Sequence, residues 1–98
     1  MNEVELKEKM VKVLTHLVDF LADSEPSAYA SKLPSDLSKV VSSNLESMKS
    51  SGYLSSPEEM NNMFLPTASL QEIAMDNGWG NQYLELASHF EMALGVCH

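Results

Sequence analysis

Leu6, Met10, Val13, Leu14, Leu17 and Leu21 recur at three- and four-residue intervals near the start of the chain. That spacing gathers them on one side of an α-helix, whereas a strand would divide them between two faces. A helix over residues 3–22 follows, about 30 Å long at 1.5 Å per residue. It is the longest element the sequence offers and the platform for the others. Asn2 stands where an N-cap is needed, with Glu5 three residues later as in a capping box. Glu5, Glu8, Lys9, Lys12, His16 and Asp19 occupy the opposite, wet face. Glu5–Lys9 and Glu8–Lys12 have the favourable order for i,i+4 ion pairs. Val4, Val11 and Val18 lie beside the main stripe and offer a second apolar face.

The rest of the chain also reads as helix. Pro26 and Pro34 bracket a connection over residues 23–34, since each disfavours helix in the residue before it. Tyr29 and Leu33 are expected to pack from it onto the core. A second helix is expected over 36–50, capped by Ser35 and ended by Gly52, with Leu37, Val40, Val41, Leu45 and Met48 inward. Ser56-Pro57-Glu58-Glu59 spells a capped start with proline at the first helical position. Pro66 stops that helix near Phe64, and Met60, Met63, Phe64 and Leu65 form its apolar side. Thr67 or Ser69 caps a fourth helix that ends at Asn77-Gly78. Asn81 is the expected cap of a fifth, with Tyr83, Leu86, Ala87, Phe90 and Leu94 as its stripe and Gly95 as its end. No repeat and no convincing strand pattern is present. The expectation is one all-α domain over residues 1–98, a compact bundle of four to five short helices.

Length and charge limit what such a bundle can do. Ninety-eight residues, 44% hydrophobic and 20% charged, suit one globular core. The one cysteine, Cys97, has no internal disulfide partner, which fits a reducing compartment. The N-terminus lacks a basic region followed by an apolar run, and no apolar run approaches membrane-spanning length. Cytoplasmic localisation is the expectation. The net charge is −8, and all six basic residues are lysines lying at or before Lys49. Residues 50–98 therefore carry six carboxylates and no lysine or arginine. A field of that sign repels nucleic acid and anionic lipid and attracts a basic partner.

Catalytic and cofactor constellations are not found. His16, His89, Cys97 and His98 do not fall in metal-ligand spacing. Cys97-His98 sits at a terminus expected to fray, and no nucleophile-elbow motif occurs. The Asn77-Gly78-Trp79-Gly80 bend is too short for a phosphate loop and has no lysine. The prosthetic serine of acyl carriers follows Asp and precedes Leu; here Asp23-Ser24 is followed by Glu25, and Leu37 separates Asp36 from Ser38. No cofactor, no metal and no enzymatic activity are expected.

The candidate site is therefore a surface. The only tryptophan, Trp79, sits at the bend between the last two helices, with Tyr83 one turn on and Asp76 and Glu85 beside it. An aromatic anchor inside an acidic rim is the composition of a protein-binding hot spot. The expected partner-binding set is Glu58, Glu59, Glu72, Asp76, Trp79, Tyr83 and Glu85. The carboxylates would speed encounter, and the two aromatics would supply buried area. A tryptophan that simply plugs the core is the competing reading, since tryptophan is usually mostly buried.

In size, charge and helicity the chain resembles the small acidic immunity proteins of bacterial toxin–immunity pairs, including those of contact-dependent inhibition. LPTASLQEIAMDNGWGNQYLELASHF is its most family-like stretch. The resemblance implies a cytoplasmic helical protein that neutralises a basic nuclease toxin by covering its nucleic-acid site. It transfers no individual binding residue. The alternative is a homo-oligomeric structural or regulatory protein without catalysis, a homodimer for example, joined through the second face of the first helix.

Overall fold

A computed structural model of the chain describes residues 2–66 and 68–98. Helix α1 spans Glu3–Ala22 and buries Met10, Val13, Leu14, Leu17 and Leu21. These belong to the stripe expected from the sequence, with Leu6 partly buried beside them. Asn2 caps the helix, its Oδ1 accepting from the Glu5 amide at 2.9 Å. Four further helices follow, α2 (Pro34–Ser51), α3 (Pro57–Met63), α4 (Ser69–Asp76) and α5 (Gly80–Cys97), with no strand among the described residues. The all-α bundle is thus established, at the upper end of the expected helix count. Its radius of gyration is 12.6 Å, that of a folded chain of this length. Helix α1 lies between α2 and α5, which are its most extensive neighbours, while α4 packs on α5 and α3 touches α2.

Caps account for most of the departures from expectation. Helix α2 starts at Pro34 with Leu33 as its N-cap, not at Asp36 behind Ser35. Proline at the first helical position has its φ preset and no N–H to satisfy, so a polar cap is less needed. Ser56 does precede α3, but its side chain does not cap it. Asn44 of α2, fully buried, takes Ser56 instead: Asn44 Nδ2 donates to Ser56 Oγ, and Asn44 Oδ1 accepts from the Ser56 amide, both at 2.9 Å. The same Nδ2 donates to the Val40 carbonyl at 2.9 Å. Ser69 opens α4 behind Ala68 without capping it. Its hydroxyl instead accepts from the Lys32 amide and pairs with Ser31 Oγ, each at 3.2 Å, and so ties α4 to the first connection. Thr67, the other expected cap, lies outside the described residues.

Other corrections come from burial. Helix α5 begins at Gly80, so Asn81 is inside the helix and caps nothing. It also runs through Gly95 to Cys97, which is fully buried and whose carbonyl accepts from the Leu54 amide at 2.6 Å. Burial of that last turn overrides the modest propensity cost of one glycine, and in place of the expected frayed tail His98 caps the helix with its ring Nδ1 2.6 Å from the Leu94 carbonyl. Tyr29 and Leu33 do not pack down: they are 80% and 51% exposed. The connection is held by polar contacts instead. Asn77 accepts from the Glu25 amide at 2.8 Å and donates to the Glu25 carbonyl at 2.9 Å. The expected Glu5–Lys9 and Glu8–Lys12 pairs are absent; the ion pair found among the described residues is Glu3–Lys7 at 3.3 Å.

The α4–α5 corner forms as the sequence suggests. Gly78 adopts φ 81°, the Trp79 amide donates to Ala74 O and the Gly78 amide to Met75 O. This is the paired bonding of a Schellman stop. A Cβ at Gly78 would meet nothing within 4 Å, so Gly78→Ala should cost about 1–2 kcal/mol through the backbone alone. Urea unfolding measures it, and a neutral result would contradict the left-handed conformation.

Candidate functional site

The two expected aromatic anchors are inside the protein. Trp79 is 5% exposed and Tyr83 4%. The indole stacks on Phe20 of α1, ring centroids 4.8 Å apart and planes 10° apart. Its Nε1 donates to Ser24 Oγ at 2.9 Å, and Ser24 in turn donates to the Phe20 carbonyl at 2.7 Å. Tyr83 lies against Phe64, which stacks on Phe90 at 4.5 Å. Burial pushes the Tyr83 hydroxyl above its usual pKa. Neither ring is exposed, so the expected aromatic anchor is corrected to two core residues: Trp79 ties the α4–α5 corner to Phe20 and Ser24, and Tyr83 packs against Phe64 at the end of α3.

The expected carboxylates do not converge either. Glu58 and Glu59 are exposed in the first turn of α3, where the helix dipole favours negative charge. Glu59 shares a shallow depression with Lys32 and Asp36. Glu72 is half-buried in the first turn of α4. Asp76 accepts a short hydrogen bond from the Ser27 hydroxyl and so serves the connection. Glu85 faces α1 across an open groove of about 650 Å³, whose lining includes Lys9, Lys12, His16 and His89. The lysine-free half of the sequence is therefore not a lysine-free half of the molecule. Packing α5 on α1 brings Glu85 into one groove with Glu5, Glu8, Lys9 and Lys12, so carboxylates and lysines mix there although the linear order had separated them.

A further groove has no basic residue in its lining. A groove of about 360 Å³ between α3 and α5 is lined by Asn61, Phe64, Leu65, Leu84, Ala87, Ser88, Phe90 and Glu91. Leu65 and Leu84 are 49% and 62% exposed at its rim. Glu58 lies one turn before Asn61 on α3, on the same helix side. Every residue here comes from the part of the chain without lysine or arginine. Leu65, on the expected apolar side of the third helix, is left exposed, and Leu84, which the sequence reading does not single out, lies off the stripe of its helix, the usual mark of an apolar residue left outside.

Among the described residues no group of three or more His, Cys, Asp or Glu is placed to hold a metal ion. Burial pushes the Cys97 thiol above its usual pKa, with Lys7 lowering it and Glu3 raising it, so little nucleophilic thiolate forms at neutral pH. No helix among the described residues is long and apolar enough to cross a membrane. The chain matches no family in a scan of protein families, and neither the curated proteins nor the solved structures contain a match to it.

Proposed function

We propose that this chain is an acidic protein-binding module whose partner is a basic protein. The observation that supports it is the α3–α5 groove, where Leu65 and Leu84 stand exposed in a surface that includes Glu91 and has no basic residue in its lining. Exposed apolar side chains provide area that a partner can bury, and uncompensated carboxylates select a partner of opposite sign and speed its approach. In this reading Leu65 and Leu84 take the anchoring part first assigned to Trp79 and Tyr83, and Glu58 and Glu91 carry the charge. A narrower form makes the partner a nuclease toxin whose nucleic-acid site is covered in the cytoplasm. The acidic, helical character of the chain supports that form.

The test is capture of partners from the native host by the full chain, at low and high salt, beside Leu84→Asp and the triple variant Glu58→Gln/Glu59→Gln/Glu91→Gln. A basic partner should be retained at low salt and lost at high salt. Leu84→Asp should weaken it by about tenfold or more, as loss of an interface anchor does. The triple variant should flatten the salt dependence. A partner bound equally by all three proteins would remove the groove from consideration.

A further inference from the structure

Residues 25–32 of the first connection form a strap held down by polar side chains. Glu25 is bonded twice to Asn77, Ser27 donates to Asp76, and Ser31 and the Lys32 amide meet Ser69. All of these partners lie on α4 or at its C-cap. Within the strap Ala30 is the apolar side chain packed against the core, while Tyr29 is exposed. A segment with so little buried apolar area opens locally while the rest stays folded. Asn77 is the centre of the clasp. Its Oδ1 accepts from the Glu25 amide at 2.8 Å, and its Nδ2 donates to the Glu25 and Ile73 carbonyls, both at 2.9 Å. The residue after it is glycine, and this is the only Asn-Gly pair in the chain. We propose that Asn77-Gly78 is a self-modification site: opening of the strap permits deamidation of Asn77, and the product keeps the strap open. The site is separate from the α3–α5 groove and goes beyond the protein-binding reading.

The chemistry needs only water. Glycine has no side chain to shield its amide nitrogen, so the Gly78 nitrogen can attack Asn77 Cγ. The new N–Cγ bond closes a succinimide, the Cγ–Nδ2 bond breaks, and Nδ2 leaves as ammonia with the proton that the Gly78 nitrogen has lost. Water then opens the ring to aspartate or its isoaspartyl isomer. The closed strap blocks the first step. Both ends of the Asn77 amide are held, and the Gly78 amide donates to the Met75 carbonyl at 3.3 Å. At a ψ of 8° the Gly78 nitrogen also lies syn to the Asn77 nitrogen and turned away from Cβ, so the ring cannot close until the backbone rotates. The product cannot restore the clasp. A carboxylate has no proton to give the Glu25 and Ile73 carbonyls, which would face its oxygens instead. The new charge also arises beside Asp76 at the C-cap of α4, the end of a helix that disfavours anions. Opening therefore becomes irreversible.

The test is peptide mapping by mass spectrometry of the full chain, incubated at mildly alkaline pH either folded or in urea. Asn77 should convert in both states, about tenfold or more slowly when folded, because only the opened fraction reacts. Ser27→Ala removes a strap contact and leaves the reacting atoms alone. It should speed conversion of the folded protein about fivefold, the effect of one lost hydrogen bond, and leave the rate in urea unchanged. Asn77→Asp reproduces the product. It should keep its helical circular dichroism and be cut by chymotrypsin after Tyr29 about tenfold or more faster than the parent, since cleavage follows the open population. Equal rates in the folded and urea-unfolded chain, no conversion in either, a folded rate indifferent to Ser27→Ala, or an Asn77→Asp variant cut no faster than the parent would each overturn the proposal. The Ser27→Ala comparison stands even if Asn77→Asp fails to fold.

Discussion

Trp79→Ala is expected to cost about 3–5 kcal/mol of stability, the usual loss for removing a buried large aromatic side chain. Three separate contacts go with the indole. It stacks on Phe20, it plugs the α4–α5 corner at 5% exposure, and its Nε1 holds Ser24 at the end of α1. The total stability of a domain is about 5–15 kcal/mol, so the variant should stand near the edge of folding at physiological temperature. A melting point lower by roughly 12–40 °C follows, at about 4–8 °C per kcal/mol for a domain of this size. Circular dichroism in urea is the suitable measurement, because the substitution removes the only tryptophan. Trp79→Phe separates the contributions: it retains a ring over Phe20 and loses the hydrogen bond to Ser24, for which about 0.5–1.5 kcal/mol is expected. An alanine variant losing under about 1 kcal/mol, within the range of surface substitutions, would put the indole outside the core and restore it as a candidate anchor for a partner.

Asn44→Ala should cost about 2–4 kcal/mol, more than its polar identity suggests. The side chain is fully buried and makes three hydrogen bonds, two to Ser56 and one to Val40. Each neutral bond contributes about 1 kcal/mol net, and a donor left buried without a partner costs about 1–3 kcal/mol more. The Ser56 amide is that donor. Asn44→Leu fills a similar volume with apolar atoms and still orphans the amide, so it should not rescue stability. A leucine variant as stable as the parent would show that packing, not the polar clamp, holds the α2–α3 connection. Unchanged denaturant slopes would confirm that both states keep their exposed area and that the change is one of stability.

These two residues mark the boundary between what the chain states locally and what the fold decides. Periodicity placed α1 at its observed bounds, because a stripe at three- and four-residue spacing can be buried in only one way. Gly78 and Gly52 ended their helices as read, since φ near 81° is a local demand that glycine meets at little cost. Asn2 capped α1 for the same reason. The polar residues that misled were those with distant partners. Ser56 carried a capping signature, yet Asn44, twelve residues earlier, holds it. Ser69 stood where a cap belongs, yet its hydroxyl reaches Ser31 and Lys32. A hydroxyl takes the best available geometry, and tertiary structure determines which geometries are available.

The surface divides in the same way. The sequence by itself determined the amount of charge, its sign and the apolar residues that do not fit a single stripe, Leu84 on α5 and the Val4–Val11–Val18 line on α1. It did not determine which carboxylates remain together. Only packing α5 against α1 could place Glu85 in one groove with Glu5, Glu8, Lys9 and Lys12 and leave Glu91 in another with Leu65 and Leu84. Nor could composition place Trp79, whose neighbours Phe20 and Ser24 lie more than fifty residues away in the chain. Local propensities are set by neighbours along the backbone. Burial and charge pairing are set by neighbours in space, and those exist only after the helices have docked.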